Sequence, residues 1–329
     1  MVTPSAAPSA LRVVFFGTPS FALPTFEALI ASTHRVVGVV TQPDRPRGRG
    51  QRVTSGPIAE LAVRHEVTVR HPERLQDPEF LAWLGDLRAD VGVVAAYGRV
   101  LPQSVLDAPR LGLLNVHASL LPKYRGAAPV HRAIMAGEET TGVTIMRVVL
   151  ELDAGPMLAA ARRPIDPDET SLDVEPDLAA LGAALLMETI DDVAGGRAIE
   201  TPQDARQATY APRLTRADGE IDWRRPAAAI HDQVRGLHPW PHASIYLGGM
   251  RYILHRTERV PATQPVEADP GTVTEAEGDR LLVAAGHATQ LRLLVIQPEG
   301  RRPLAARDFL AGYRIRAGAR FGAPPANSP

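Results

Sequence analysis

The sequence predicts an α/β fold with a mostly parallel sheet, followed by a smaller domain that is rich in short strands. Strand-like and helix-like segments alternate from Leu11 onward, which is the order found in parallel α/β proteins. The strand candidates are continuous runs of Val, Leu and Ile, as expected of strands that are buried on both faces. After about residue 197 the pattern changes to short strand candidates separated by Gly and Pro turns, which favours a small β-barrel.

The elements of the first domain follow one another at short intervals. We predict strands at residues 11–16, 35–42, 67–71, 90–97, 111–117, 141–149 and 155–165. Helices are predicted at residues 19–32, 57–66, 77–88 and 169–196, the last of them interrupted at Pro176 because proline removes a backbone donor. Strands of the second domain are predicted at residues 243–256, 271–286 and 291–298.

Composition narrows the class of protein. The chain has 329 residues, of which 45% are hydrophobic and 22% charged, as in an ordinary globular protein. The absence of cysteine excludes disulfides, thiolate catalysis and cysteine-based zinc sites. No run approaches the roughly 20 apolar residues that cross a bilayer, so we expect a cytoplasmic enzyme. The net charge of -1 neither requires nor excludes a nucleic-acid partner.

Polar residues end one predicted strand in an unusual way. Asn115, His117 and Ser119 occupy alternate positions in LLNVHASLLP and would share one face of the strand. A carboxamide and an imidazole at a strand end can both donate to a developing oxyanion, as acyl transfer requires. Asp153, in the loop after the next strand, is the candidate for orienting or charging the imidazole. The alternative is structural: the Asn caps the sheet and the Asp begins a turn.

Two other segments raise further alternatives. The turn FFGTPSF follows a strand and opens a helix, but Gly17 stands where a dinucleotide-binding fingerprint needs three spaced glycines. The loop at residues 42–52, QPDRPRGRGQR, is compatible either with a solvated surface or with a clamp on phosphates. Its arginines are Arg45, Arg47, Arg49 and Arg52.

The quoted segments resemble the folate-dependent formyltransferase family. The resemblance spans roughly residues 11–318 and rests on NVHASLLPKYRGAAPVHRAI, TGVTIMRVVLELDAGPML, FFGTPSFA, VVAAYGRVLP, YAPRLTRADGEIDW and VRGLHPWP. It implies a Rossmann-like catalytic domain and an OB-like β-barrel that helps to hold tRNA. It also implies 10-formyltetrahydrofolate as formyl donor, initiator methionyl-tRNA as acceptor, no metal in the reaction, no membrane association and a monomeric enzyme.

The resemblance also assigns roles to individual residues. The catalytic trio falls on Asn115, His117 and Asp153. The folate-contacting segment falls on Ser119, Leu120, Leu121 and Pro122. The arginine-rich loop corresponds to one that meets the tRNA acceptor end, with Arg49 at the best-matched position. One departure is Glu151, a negative charge two residues before Asp153 that would oppose ionisation of Asp153 if it pointed inward.

Domain boundaries and rival functions complete the predictions. We predict a flexible lead-in at 1–10, the catalytic domain at 11–196, a linker at 197–215, the tRNA-binding domain at 216–318 and a flexible tail at 319–329. The nearest rivals are formyltransferases that act on glycinamide ribonucleotide or on an amino sugar nucleotide. A Rossmann oxidoreductase and a noncatalytic RNA-binding protein are the rivals from other classes.

Overall fold

The described chain divides into two units, each assembled from separate stretches of sequence. The computed structural model describes residues 10–43, 46–47, 52–53, 55–261 and 265–322. Unit 1 comprises the described residues of Met1–Pro129, Thr141–Arg163 and Glu175–Ala211, and unit 2 those of Val130–Thr140, Pro164–Val174 and Pro212–Pro329. The domain boundaries given above from the sequence stay a prediction.

Strands up to residue 211 are short, and several contain no more than two residues. In chain order they are β1 (Arg12–Gly17), β2 (Arg35–Val40), β3 (Pro46–Arg47), β4 (Arg52–Val53), β5 (Val69–Arg70), β6 (Val91–Ala95), β7 (Leu113–His117), β8 (Arg125–Gly126), β9 (Thr140–Arg147), β10 (Met157–Pro164) and β11 (Tyr210–Ala211). The helices over the same part are α1 (Leu23–Ala31), α2 (Pro57–Arg64), α3 (Pro78–Asp86), α4 (Gln103–Leu106), α5 (Pro129–Met135) and α6 (Ser171–Ala194).

Unit 1 is built on a seven-stranded sheet in the order β10-β9-β7-β6-β1-β2-β5. The pairs β1–β2, β1–β6, β2–β5 and β6–β7 are parallel, whereas β9 runs antiparallel to β7. The predicted mostly parallel sheet is therefore confirmed. Because β1, β2, β6 and β7 run the same way, their carboxyl ends lie along one edge of the sheet, where ligands bind in such folds.

The core of unit 1 explains why these runs of sequence became strands and helices. Val14 and Phe16 of β1 are fully buried, and they belong to one apolar cluster with Phe80 and Leu84 of α3. Phe80 and Leu84 are four residues apart, so they lie on one face of the helix and cover the sheet together. Asp77 caps that helix by accepting a hydrogen bond from the Glu79 N–H.

The predicted interruption of the long helix at Pro176 is wrong, because α6 is continuous from Ser171 to Ala194. Pro176 lies close to the amino terminus, so its missing N–H removes one early hydrogen bond of a 24-residue helix. Further along, Leu178, Leu186 and Ile190 are fully buried. Burial of this apolar stripe offsets the cost of the proline.

Unit 2 contains the second sheet, which is antiparallel. Its elements are α7 (Ala227–Gly236), β12 (Ala243–Leu247), β13 (Met250–Arg259), β14 (Val273–Glu277), β15 (Arg280–Ala285), β16 (Thr289–Pro298), β17 (Leu304–Ala305) and α8 (Ala306–Gly312). The strands pair in the order β12-β13-β16-β15-β14, and β17 pairs with β16. Ile230 of α7 and Phe309 of α8 are fully buried in the same apolar cluster as Leu254 and Leu291 of the sheet. The predicted strand-rich second domain is confirmed as an antiparallel sheet, and α7 and α8 accompany it.

Candidate active site at the carboxyl edge of the parallel sheet

The strand β7 places Asn115 and His117 at the carboxyl edge of the sheet. Asn115 pairs with Val94 of β6 on one side and with Met146 of β9 on the other, which holds the backbone between two strands. Residues two apart on a strand share a face, so both side chains point the same way from positions about 7 Å apart along the chain. Asn115 is half-buried, and His117 is buried.

The two ring nitrogens of His117 have different neighbours. Nε2 lies 3.0 Å from the carbonyl oxygen of Tyr124, and because a carbonyl can only accept, Nε2 carries the hydrogen of this bond. Nδ1 lies 3.7 Å from Oδ2 of Asp153. Nδ1 is therefore the ring atom that faces the Asp153 carboxylate.

Asp153 is held in place by its backbone and by its carboxylate. Its φ is +48°, in the left-handed region, and its Oδ2 accepts a 2.8 Å hydrogen bond from the backbone N–H of Gly126. Gly126 has a φ of +128°, and a Cβ at that position would lie 2.6 Å from the carbonyl oxygen of Ala211. Glycine is therefore required where the chain donates to Asp153, because the backbone approaches β11 closely.

Two further side chains, Arg125 and Gln203, hold the Asp153 turn through hydrogen bonds. Gln203 donates through Nε2 to the carbonyl oxygens of Asp153 and Gly155, each at 2.8 Å. The guanidinium of Arg125 donates in turn to Oε1 of Gln203 at 2.8 and 3.1 Å. Because the arginine fixes the amide oxygen, the amide nitrogen can only face the turn.

The negative charge of Glu151 points away from Asp153. Its side chain is 75% exposed, and Oε1 lies 3.8 Å from Nη1 of Arg125. Arg125 is buried, so the pair places the exposed acid beside the cation that supports the turn. The condition under which Glu151 would oppose ionisation of Asp153, an inward side chain, is not met.

The segment Ser119–Pro122 forms a compact turn after β7. The Ser119 hydroxyl is fully buried and donates to the carbonyl oxygen of Lys123 at 2.6 Å. Thr144, opposite His117 in β9, donates to the Ser119 carbonyl and accepts from the Leu121 N–H. Leu120 and Pro122 are half-buried, whereas Ser119 and Leu121 are buried. Among the four predicted folate contacts, Leu120 and Pro122 thus present the more accessible side chains.

The arginine-rich loop is only partly described. Arg45 and Arg49 lie outside the described residues, and Arg47 and Arg52 are described by their backbone, in the antiparallel pair β3–β4.

Among the described residues, none of the helices has the length and apolar character needed to cross a membrane.

Three supporting residues were not predicted from the sequence: Arg125, Gln203 and Thr144. Gln203 lies in the segment predicted to be a linker, 50 positions from Asp153, and nothing in its neighbours marks it. Thr144 is one of several threonines in a strand. Arg125 and Thr144 both stand in segments quoted for the resemblance, but neither residue was given a role there.

Comparison with known proteins gives the family. The profile described as Formyl transferase matches residues 11–190, and the profile described as Formyl transferase, C-terminal domain, matches residues 213–314. The methionyl-tRNA formyltransferase of Heliobacterium modesticaldum is 47% identical over 318 residues, covering 95% of this chain and 100% of that protein. The methionyl-tRNA formyltransferase of Solibacter usitatus is 44% identical over 312 residues, covering 95% of this chain and 99% of its own.

A solved structure gives the same fold at much lower identity. The crystal structure of WlaRD, a sugar 3N-formyl transferase in the presence of dTDP and 5-N-formyl-THF, superposes with a TM-score of 0.66 at 14% identity. It covers 89% of this chain and 100% of that chain, and at this identity the likeness shows the fold alone. From the two profiles and the near full-length relatives, this chain belongs to the formyl transferase family and is similar, within it, to the methionyl-tRNA formyltransferases.

Proposed function

We propose that this protein transfers the formyl group of 10-formyltetrahydrofolate to the α-amino group of methionine on initiator tRNA. The chain belongs to the formyl transferase family, which argues against an oxidoreductase and against a noncatalytic RNA-binding protein. Relatives that are 40–47% identical over nearly the whole chain support the tRNA substrate over a sugar nucleotide or glycinamide ribonucleotide. The observation that carries the chemistry is His117 Nδ1 at 3.7 Å from Asp153, on the strand that also presents Asn115.

In the proposed reaction, the neutral α-amino group attacks the formyl carbon and the carbonyl oxygen becomes an oxyanion. An α-amino group has an ordinary pKa of about 7.7 to 8.0, so a useful fraction is already neutral. The Asn115 carboxamide and a protonated His117 Nδ1 donate to the oxyanion, and Asp153 stabilises the imidazolium. Collapse of the intermediate breaks the bond between the formyl carbon and N10. The amine loses a proton and N10 gains one, directly or through His117, Asp153 and water.

The folate and the tRNA are proposed to meet different parts of the chain. Leu120 and Pro122 offer apolar contacts to the folate beside the strand end. Arg45, Arg47, Arg49 and Arg52 are proposed to contact the tRNA acceptor end, and the antiparallel second unit is proposed to be an OB-like domain that helps to bind tRNA. The resemblance supports these roles, and it also supports a monomer that acts in the cytoplasm.

The decisive experiment supplies the purified protein with 10-formyltetrahydrofolate and either initiator or elongator methionyl-tRNA. We expect formylmethionine on the initiator species and much less on the elongator species. Absence of formylation on both, with formylation of an amino sugar nucleotide instead, would refute the proposed acceptor.

In the same assay Arg49→Ala should raise KM for tRNA and leave folate affinity unchanged. It should also make the logarithmic salt dependence of tRNA affinity shallower by about one unit. Arg64→Ala, on the exposed end of α2, is the matched control.

A further inference from the structure

Three histidines gather in unit 2. His238 and His242 lie in the connection between α7 and β12, and His255 lies in β13. One ring nitrogen from each histidine lies within 4.8 Å of one from each of the others. The ring centroids are 4.5 Å apart for His242 and His255, 5.3 Å for His238 and His242, and 6.3 Å for His238 and His255.

The fold itself brings the three rings together. The antiparallel register pairs Ala243 of β12 with Leu254 of β13, so the next position outward sets His242 opposite His255. The N–H of His242 donates to the carbonyl oxygen of Leu237 at 3.0 Å, which closes the connection into a short loop and returns His238 to the same place. The cluster is therefore fixed by strand pairing and by a loop closure, not by flexible side chains alone.

From this cluster we propose that His238, His242 and His255 bind a divalent transition-metal ion of the Zn²⁺ class. Three imidazoles with one open position form a common zinc donor set, and imidazole also suits Ni²⁺ and Cu²⁺. A tetrahedral ion with bonds of 2.0–2.1 Å needs ligand nitrogens about 3.4 Å apart. The upper limit of 4.8 Å on the present separations exceeds that spacing by about 1.4 Å, so the rings must move closer when the ion binds.

Two of the histidines each have a buried ring nitrogen with an unmet hydrogen-bonding capacity among the described residues. Nδ1 of His238 and Nδ1 of His242 are buried and have no hydrogen-bond partner among the described residues. A buried polar atom without a partner is costly, and in native proteins such an atom calls for a specific explanation. A bound cation supplies the missing partner for both atoms at once.

The third histidine is oriented as a metal ligand would be. Nε2 of His255 lies 2.7 Å from Oε1 of Gln297, and Nε2 of Gln297 donates to the carbonyl oxygen of Arg301 at 2.7 Å. Because the amide nitrogen is committed to a carbonyl, Oε1 must accept, and His255 Nε2 carries the hydrogen. The lone pair is thus on Nδ1. Metal-binding histidines characteristically donate their other N–H to such a partner, which fixes the tautomer.

The surrounding charges act on the cluster in both directions. Arg251 and Arg256 place positive charge near the rings, whereas Asp173 places a carboxylate near His238 and favours a cation. The site thus combines three imidazole donors with one nearby acid.

The test measures Zn²⁺ binding by the untagged full-length protein with isothermal titration, and Co²⁺ binding by its visible absorption. We expect one saturable site, a tetrahedral Co²⁺ spectrum, and a rise in Tm with Zn²⁺ that a chelator reverses. His242→Asn and His255→Gln should each weaken Zn²⁺ binding at least 10-fold and remove the tetrahedral spectrum. His287→Asn is the matched control, because His287 is exposed and shares a left-handed backbone with His242.

Gln297→Leu separates a metal site from a merely structural cluster. It removes no ligand, but it frees the His255 ring to rotate, so Zn²⁺ affinity should fall 10- to 100-fold. If the histidine variants fail to fold, the Zn²⁺ affinity of Gln297→Leu still tests the proposal. The proposal is overturned if the wild-type protein shows no saturable Zn²⁺ binding at micromolar concentrations. It is likewise overturned if a folded His242→Asn or Gln297→Leu variant binds Zn²⁺ as tightly as the His287→Asn control.

Discussion

A single imidazole carries most of the proposed chemistry, and its two nitrogens are not interchangeable. The Tyr124 carbonyl occupies Nε2 of His117, which leaves Nδ1 for both the substrate and Asp153. The side chain of Asn115 is the second donor on the same strand face. Because Asn115, His117 and Asp153 are proposed to stabilise one transition state together, their individual losses should not multiply.

We therefore predict that Asn115→Ala lowers kcat by about 100-fold or more, the usual loss when one oxyanion donor is removed. His117→Ala and Asp153→Ala should be as severe. The double variant Asn115→Ala/Asp153→Ala should lose far less than the product of the two single losses. The measurement is single-turnover formylation at saturating folate and tRNA. A strictly multiplicative double variant would contradict a shared role in the transition state.

Gln203 is a positioning residue, because it touches the backbone of the Asp153 turn and not the reacting atoms. We predict that Gln203→Leu lowers kcat by roughly 10- to 100-fold through misplacement of the Asp153 carboxylate. Gln203→Glu can still accept from Arg125 but loses both N–H donors, so it should fail in the same way. The KM for tRNA should change little.

The exposed Gln207 provides the matched control. Its side chain donates to Asp204 on the surface, and Gln207→Leu should leave kcat unchanged. If Gln203→Leu loses only thermal stability and keeps its kcat, then the contact is structural and the positioning role is wrong.

At the scale of elements, Asp218 ties a short 3₁₀ turn to α5 within unit 2. Its Oδ2 accepts from the Thr215 N–H and hydroxyl in a capping box, and its Oδ1 accepts from Nη1 of Arg132 at 2.6 Å. Burial acts to raise the pKa of this carboxyl, but the hydrogen bonds and the Arg132 charge outweigh it, and the net pKa is lowered. The folded state thus favours the ionised form.

The lowered pKa gives a definite dependence of stability on pH. Below about pH 4 the unfolded chain binds the Asp218 proton more readily than the folded chain does, so stability falls as pH falls through that range. We predict that Asp218→Asn costs about 2 kcal/mol of unfolding free energy at pH 7 and progressively less below pH 4. Denaturant melts at a series of pH values measure this difference. Asp222→Asn is the control, since Asp222 makes a more exposed pair with Arg224. A difference in unfolding free energy for Asp218→Asn that does not narrow in acid would contradict the assignment.

The same elements show how far sequence alone reaches. Runs such as RVVFFG and VGVVA are apolar throughout because they are covered on both faces, and that pattern is readable in one dimension. The position of Asn115 and His117 on one strand face could be predicted because they are two residues apart in β7, and their catalytic roles stay a prediction. Gln203 and Thr144 were not, since their roles arise only when distant segments pair. The Pro176 prediction failed for a related reason: burial of the helix outweighed a local preference.

At the scale of the whole molecule, residues late in the sequence complete parts that begin early. Gln203 and β11 belong to unit 1, where β11 pairs with β8 beside Gly126. Within unit 2, the hydroxyl of Ser171 donates to the carbonyl oxygen of Gly236, and Arg132 donates to Asp218. A cut in the sequence near residue 200 therefore divides both units.

We predict that a fragment ending at residue 200 is not a stable formyl transferase domain. It loses Gln203 and β11 from unit 1, and it retains Arg132 and Ser171 without their partners. Circular dichroism melts should show a broad transition of low cooperativity, and folate binding should be at least 10-fold weaker than in the full chain. The full chain and a fragment ending at residue 322 are the controls. A fragment ending at residue 200 that melts sharply and binds folate normally would show that the late segments are dispensable.

Each unit is built from separate stretches of the sequence, so parts of unit 2 are synthesised well before the rest of it. Arg132 and Ser171 leave the ribosome early, but their hydrogen-bond partners Asp218 and Gly236 lie in the part of unit 2 that begins at Pro212. At 5–20 residues per second, the 118 residues from 212 to 329 take about 6–24 s to emerge, and Arg132 and Ser171 lack these partners until the corresponding residues are synthesised. The nascent chain therefore carries an incompletely folded unit 2 during this interval. Chaperones that bind emerging chains would act on this protein mainly during that interval, and synonymous codons that slow translation after residue 212 would prolong it.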